Sequence, residues 1–208
     1  MTAAYHAPMD GIGWAASAMN AARTRLDVAA ENLANGSTDG FRKSDVRGFL
    51  SLRGVAMRRV RSNEQGPLRR TGRPYDLAIA GSGTFRVRDG AGHVTATRDG
   101  AFTRDRFNRL VDDAGRVLLG TRGPICVPDG ASIGSDGTIS RNGIALNRVA
   151  LPRGSTVCSG FLEGSNVDAI GEMIDLLTAQ RSFEEAQKVL SAIDQTRERA
   201  NTQVAQMK

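Results

Sequence analysis

The sequence predicts an α+β protein in which a long helix at each end encloses an antiparallel β domain. Three observations carry that prediction: helically spaced apolar residues near the start, a second such stretch near the end, and period-two alternation with Asp-Gly and Asn-Gly pairs between them.

In the first helix, Ile12, Ala15, Met19, Ala22, Leu26, Ala29 and Leu33 recur at 3,4 spacing through three heptads, a narrow seam of small and aliphatic side chains. Asp10 is placed to cap its start and Asn35-Gly36 to stop it, giving about 25 residues and roughly 37 Å at 1.5 Å per residue. Such a stripe requires a partner, and the far end of the chain supplies one. There Ser165-Asn166-Val167-Asp168 has the form of a capping box, with Asp in place of Glu. The following helix runs for about forty residues, with an expected apolar face of Ile170, Met173, Leu177, Phe183, Ala186, Leu190 and Ile193, continued weakly by Ala200, Val204 and Met207. Asp168 and Glu172 near its start and Arg197 and Arg199 near its end suit the helix dipole.

Between the helices, residues 77–80, 84–88, 94–98 and 117–119 read as short strands. Asp89-Gly90, Asp99-Gly100, Asp129-Gly130, Asp136-Gly137 and Asn142-Gly143 are expected to supply the positive φ angles of tight hairpins. The predicted layout is residues 1–45 as the first helix and its turn, 46–160 as an inserted all-β antiparallel domain, and 161–208 as the second helix. The two ends pair into one discontinuous, coiled-coil-like helical domain.

Composition narrows the function. The 208 residues are 40% hydrophobic and only 5% aromatic, with 24 glycines, so the core is built mainly from aliphatic side chains. The formal charge is +6, from 28 Lys+Arg against 22 Asp+Glu, and the excess precedes residue 163 because the last segment is net acidic. No apolar run is long enough to span a bilayer, and Met1 to Asn20 lacks the pattern of a cleaved signal, so neither membrane insertion nor ordinary signal cleavage is expected. Cys126 and Cys158 permit at most one disulfide; two small buried thiols are the simpler reading.

Catalytic chemistry finds little support. His6 and His93 read as exposed bystanders, and neither a nucleophile elbow nor a metal-binding His pair occurs. Gly81-Ser82-Gly83 lacks the rest of a phosphate loop, and Asn35-Gly36-Ser37 reads as a helix stop rather than a glycosylation site. No enzyme activity, metal or cofactor is therefore expected. A cell-wall hydrolase working through Asp or Glu alone lacks a local carboxylate motif. The basic run Arg53, Arg58, Arg59, Arg61, Arg69, Arg70 and Arg73 makes a nucleic-acid-binding protein the main alternative. No recognition helix or aromatic platform accompanies that run, so nucleic acid is not an expected partner.

Three separated motifs occur in order. Leu26-Asp27-Val28-Ala29, Asn32-Leu33-Ala34-Asn35 and Thr38-Asp39-Gly40-Phe41-Arg42 end the first helix. Thr71 to Phe85 and Thr97-Arg98-Asp99-Gly100-Ala101-Phe102 lie centrally. Leu162 to Asp168, Glu172-Met173-Ile174 and Gln180-Arg181-Ser182-Phe183-Glu184 open the second helix. In these the chain resembles the bacterial flagellar basal-body rod and hook proteins, and Phe183 to Lys188 with Arg199-Ala200-Asn201 look closer to proximal-rod members. It departs from them at Glu31, at Gly36-Ser37, at Phe183 and in the short passage from Val149 to Gly160. The resemblance implies a structural subunit exported without signal cleavage by the flagellar type III apparatus and polymerised with itself and other rod or hook-basal-body subunits. It further implies that assembly rests on Leu26, Asn32, Leu33, Asn35, Gly40, Phe41, Asn166, Val167, Met173, Leu177, Arg181 and Phe183. The β domain would depend on Gly72, Asp76, Ala78, Gly81, Gly83, Phe85, Asp99, Gly100 and Phe102.

Overall fold

The computed structural model describes residues 11–51, 54–152 and 154–206. His6, Asp10, Arg53, Met207 and the side chain of Val204 lie outside the described residues. The fold is α+β: helix α1 (Gly11–Ala34), a run of short strands, and helix α2 (Ala169–Gln206). The chain divides into two compact units, one containing residues 11–34, 43–62 and 167–206, the other residues 35–42 and 63–166. The layout expected from the sequence places residues 46–160 in the β domain. Instead, the hairpin of β1 (Ser44–Ser51) and β2 (Gly54–Arg61) contacts α1 and groups with the helices.

In the helical unit, α1 forms from a segment with eight alanines among 24 residues, the strongest helix former, and stops at Asn35-Gly36. The start of α2 corrects the capping expectation. Asp168, rather than Ser165, caps it, its Oδ1 accepting the Ile170 N–H at 3.2 Å, because the helix begins only at Ala169. Since α2 continues to Gln206, Arg197 and Arg199 also fall short of its last turn.

The β unit holds the apolar core. Strands β3 (Leu68–Arg70), β4 (Leu77–Ala80), β5 (Phe85–Arg88), β6 (Val94–Thr97), β7 (Thr103–Arg104), β8 (Leu110–Val111), β9 (Val117–Gly120) and β10 (Gly123–Pro124) precede β11 (Ala131–Ile133), β12 (Thr138–Arg141), β13 (Ile144–Arg148), β14 (Thr156–Ser159) and β15 (Phe161–Glu163). The largest sheet has the order β6-β5-β9-β8-β7, with β10 on β9; β11-β12-β13 form a second, while β14 pairs with β4 and β15 with β3. All pairings are antiparallel. Leu77, Ile79, Phe85, Val87, Leu110, Leu118, Ile125 and Ile139 are wholly buried in one cluster, and Phe85 meets Phe102 edge-on at 5.4 Å. Alternation also decides the cysteines. Ile125 and Val127 point inward, so Cys126 between them is exposed rather than buried, while Cys158 is half-buried; both thiols are free.

The turns use more than glycine. Asp89, Asp105 and Asp112 each accept backbone N–H groups two and four residues on, and each also binds the side chain at i+4, respectively His93, Arg109 and Arg116. This repeated Asp-x-x-x-Arg/His loop is a device that Asp-Gly pairs alone do not reveal. Gly130, Gly137 and Gly143 do have positive φ, whereas Gly90 and Gly100 do not. Gly100 serves close approach instead: a Cβ there would overlap the Leu77 carbonyl oxygen.

Hydrogen bonding from the His93 N–H holds the Asp89 carboxyl below its ordinary value, and the Thr138 hydroxyl does the same for Asp136. Folding stability from these two groups is present above the unfolded carboxylate value of about 3.9 and is lost as pH falls through their lower folded values. Burial raises the Asp99 carboxyl, so its contribution has the opposite sign and declines as pH rises toward its raised value. Denaturant midpoints are expected to fall below about pH 4, and Asp136→Asn to make that fall shallower. Phe85→Ala should destabilise the β unit by about 3–5 kcal/mol, read by thermal unfolding.

Candidate assembly surface

Within the helical unit, α1 and α2 run antiparallel. Asn32 on α1 meets Glu172 on α2, while a Cβ on Gly11 would lie 3.3 Å from Ile193 Cδ1. Both intervals, 11 to 32 and 172 to 193, are 21 residues, so the helices keep step over three heptads. Ala15, Ala22 and Ala29 of the expected α1 seam are buried, and Ile12, Met19, Leu26 and Leu33 half-buried. Ser17, Ala21, Val28 and Asn32 are buried as well, because the β1–β2 hairpin covers a second side of α1. Ser17 Oγ accepts the Val55 N–H at 2.7 Å, and Glu31 meets Arg59 at 2.6 Å.

Asn32 is the polar centre of this unit. Its Nδ2 donates to the Ser44 carbonyl at 2.8 Å and to Glu172 Oε2 at 3.0 Å, while its Oδ1 accepts the Ser44 N–H at 2.9 Å. One buried amide thus joins α1, β1 and α2, and no apolar residue of similar size would replace its bonds.

The α2 face requires a correction. Glu172, Ala179 and Ala186 are buried, with Leu176, Phe183, Leu190 and Ile193 half-buried on the same side at alternating four- and three-residue spacing. Ile170, Met173 and Leu177, expected on that face, lie on the opposite side. With Ile174 they form an exposed stripe at i, i+3, i+4 and i+7, Ile170 being 72% and Leu177 54% accessible. The expected phase is wrong only in the first turns: Phe183, Ala186, Leu190 and Ile193 do lie on the seam, but near the helix start it is continued by Glu172, Leu176 and Ala179 rather than by Ile170, Met173 and Leu177.

The expected assembly residues therefore separate. Leu26, Asn32, Leu33, Val167, Met173, Leu177, Arg181 and Phe183 belong to the helical unit; Asn35, Gly40, Phe41 and Asn166 belong to the β unit. In the β unit three connecting segments gather around Glu163, which is 1% exposed. Its backbone oxygen accepts the Gly40 N–H at 2.6 Å, Oε1 accepts the Gly66 N–H at 3.3 Å and Arg42 Nη2 at 3.5 Å, and Oε2 accepts Arg98 Nη1 at 2.7 Å. Arg98 also donates to the Ile79 and Gly81 carbonyls at 3.0 and 2.6 Å. Gly40 has φ +71°, and a Cβ there would stand 2.2 Å from the Asp99 nitrogen. Asn35 bonds Thr38 through backbone and side chain, Phe41 N–H reaches the Thr38 carbonyl, and Asn166 Nδ2 donates to the Glu64 carbonyl at 3.0 Å. Glu163 and Arg98 stand inside motifs quoted above, but their partnership had no local signal, being 65 residues apart.

The β-domain residues do structural work. Asp76 is buried against Arg73 Nε at 2.9 Å, Ala78 pairs with Cys158, Gly72 N–H donates to the Gly160 carbonyl, and a Cβ on Gly83 would strike Pro152. Gly81 N–H donates to Gln65 Oε1 and Asp99 accepts the Ala101 N–H, while Phe102 packs on Phe85. The basic run is split: Arg58, Arg59 and Arg61 lie on β2 in the helical unit, and Arg69, Arg70 and Arg73 in the β unit. Arg59, Arg69 and Arg73 already face Glu31, Asp39 and Asp76. Among the described residues no helix is long and apolar enough to cross a membrane, and no acidic, His or Cys group forms a metal cluster.

Comparison with known proteins decides the family. Residues 12–42 match the flagella basal body rod protein family, 78–144 the flagellar hook protein FlgE/F/G D1 domain, and 159–203 the flagellar basal body rod FlgEFG protein C-terminal family. The flagellar basal-body rod protein FlgF of Escherichia coli is 32% identical over 89% of this chain and 95% of its own length. The chain belongs to the flagellar basal-body rod protein family. FlgF of Caulobacter vibrioides is 30% identical over 81% of the chain and 86% of its own length, and the rod protein FlgG of Bacillus subtilis 30% identical over 86% and 93%. This is a structural, non-enzymatic family, and nothing in the comparisons supports nucleic-acid binding.

Removing the Glu163 charge leaves Arg98 buried without its counter-ion. Glu163→Gln is expected to cost about 3–5 kcal/mol, seen as a lower denaturant midpoint, whereas Glu184→Gln on the exposed side of α2 should leave the midpoint nearly unchanged.

Proposed function

We infer that this chain is a structural subunit of the flagellar basal-body rod, polymerising through its paired end helices. The observation that carries the reading is full-length similarity to rod proteins in a chain whose α2 leaves an apolar stripe uncovered beside a complete intramolecular seam. The heptad spacing and matched 21-residue intervals support coiled-coil-like packing of α1 and α2. The similarity to FlgF proteins supports a place in the proximal rod, beside other rod and hook-basal-body subunits. Export through the flagellar type III apparatus without signal cleavage fits an assembly protein whose helices order fully only among neighbours.

Deletion of the gene should abolish motility and leave basal bodies with an incomplete rod; normal rods without this chain would overturn the reading. Leu33→Asp and Phe183→Asp place charges on half-buried packing positions, and each should block incorporation while leaving β-unit unfolding unchanged. Hydrogen exchange on the monomer should show α1 and α2 amides opening well before those of the β-unit core, and equal protection would count against ordering on assembly.

A further inference from the structure

We propose that the outward face of the β1–β2 hairpin docks on the apolar stripe of α2 in a second copy of this chain. The proposal rests on the rod-subunit reading and names the surfaces that meet.

The hairpin register separates its faces. Ser44 is buried, Val46 and Met57 are half-buried and the Arg59 side chain reaches Glu31 on α1, so the face these residues share by register is turned inward. The opposite face bears Phe49, 54% exposed, with Arg47 set directly across from Arg58. Like charges directly opposite on a β ladder are destabilising, and no ion pair among the described residues relieves these two. This face thus calls for a partner that is apolar where it meets Phe49 and acidic where it meets the guanidinium groups.

The outer side of α2 has that sequence of features. Met173 and Leu177 are exposed, and Glu184 lies two turns beyond Leu177 on the same side. From the gap between Met173 and Leu177 to Glu184 is about 13 Å along a helix, and from Phe49 to Arg47 about 7 Å along a strand, to which the extended Arg side chain adds about 6 Å. Phe49 seated between Met173 and Leu177 therefore brings Arg47 and Arg58 to Glu184 and Glu185, which also offset the intervening Arg181. Segment charge points the same way: residues 43–62 contain six basic residues and one acidic, residues 168–185 five acidic and one basic. Because the two patches occupy different places on one chain, the contact is heterologous and repeats from copy to copy, as polymerisation requires.

Differently tagged Phe49→Cys and Leu177→Cys chains, both carrying Cys126→Ser and Cys158→Ser, would be co-expressed and basal bodies isolated under mild oxidation. A disulfide-linked dimer containing both tags is expected, and none when Arg88→Cys on β5 replaces Phe49→Cys. Basal bodies that contain both chains without this dimer overturn the contact and leave the rod reading intact. If the wild-type chain itself is absent from basal bodies, the rod reading fails and the contact with it. Should the cysteine chains be excluded, charge reversal decides: Arg58→Glu and Glu184→Arg should each lower incorporation about tenfold, and both on one chain should restore it. Failure of that rescue overturns the proposal.

Discussion

The buried pairing of Glu163 with Arg98 is the constraint on which the β unit's connections depend. The chain passes between the two units after residues 34, 42, 62 and 166, and three of the segments flanking these crossings meet at Glu163. Gly40 and Arg42 bring the segment leaving α1, Gly66 the segment following the hairpin, and Glu163 itself the segment leading to α2. Burying a carboxylate costs several kcal/mol unless charge and hydrogen bonds replace its water. Here both oxygens are occupied, and Arg98 anchors the site to the carbonyls of Ile79 on β4 and of Gly81 just past its end. The arrangement is not fully satisfied, since the Nε atoms of Arg42 and Arg98 are buried without partners. The directional bonds that Glu163 and Arg98 do make favour one geometry over a generic apolar contact, in which no direction is preferred.

Asn32 plays a corresponding part in the helical unit. The apolar part of the α1–α2 seam repeats alanines and larger side chains by heptads, and so by itself discriminates weakly between registers one heptad apart. An amide that must reach Ser44 on one side and Glu172 on the other has one satisfactory register. Displacing α2 by a turn would strand both the amide and the Glu172 carboxylate away from water. The small seam supplies close approach and the polar pair supplies register.

The architecture was legible because it rests on local periodicity: helix, short antiparallel strands and helix all appear near their predicted limits. Position 142–143 shows the same legibility in a turn, with both Asn142 and Gly143 at positive φ. What escaped was the direction of side chains when burial depends on distant partners. Ile170, Met173 and Leu177 have the composition of a core face, yet α1 packs against Glu172, Ala179 and Ala186. Ser17 and Asn32 read as polar interruptions until the hairpin supplies their partners. Likewise, the Glu163–Arg98 pair joins residues whose individual motifs were visible and whose distance in sequence concealed their contact.

The phase of α2 also decides which of its apolar side chains the monomer's own packing leaves uncovered. Were Ile170, Met173 and Leu177 packed against α1 as well, an assembly contact through them would have to compete with the intramolecular seam for the same surface. Glu172, Ala179 and Ala186 face inward with the half-buried Leu176, Phe183, Leu190 and Ile193, which leaves Ile170, Met173, Ile174 and Leu177 outside the seam. An exposed apolar stripe loses much of its favourable free energy to water in the isolated chain and recovers it on burial. Under the proposed contact, the apolar driving force for assembly would lie on the side of α2 that the monomer's own packing does not use.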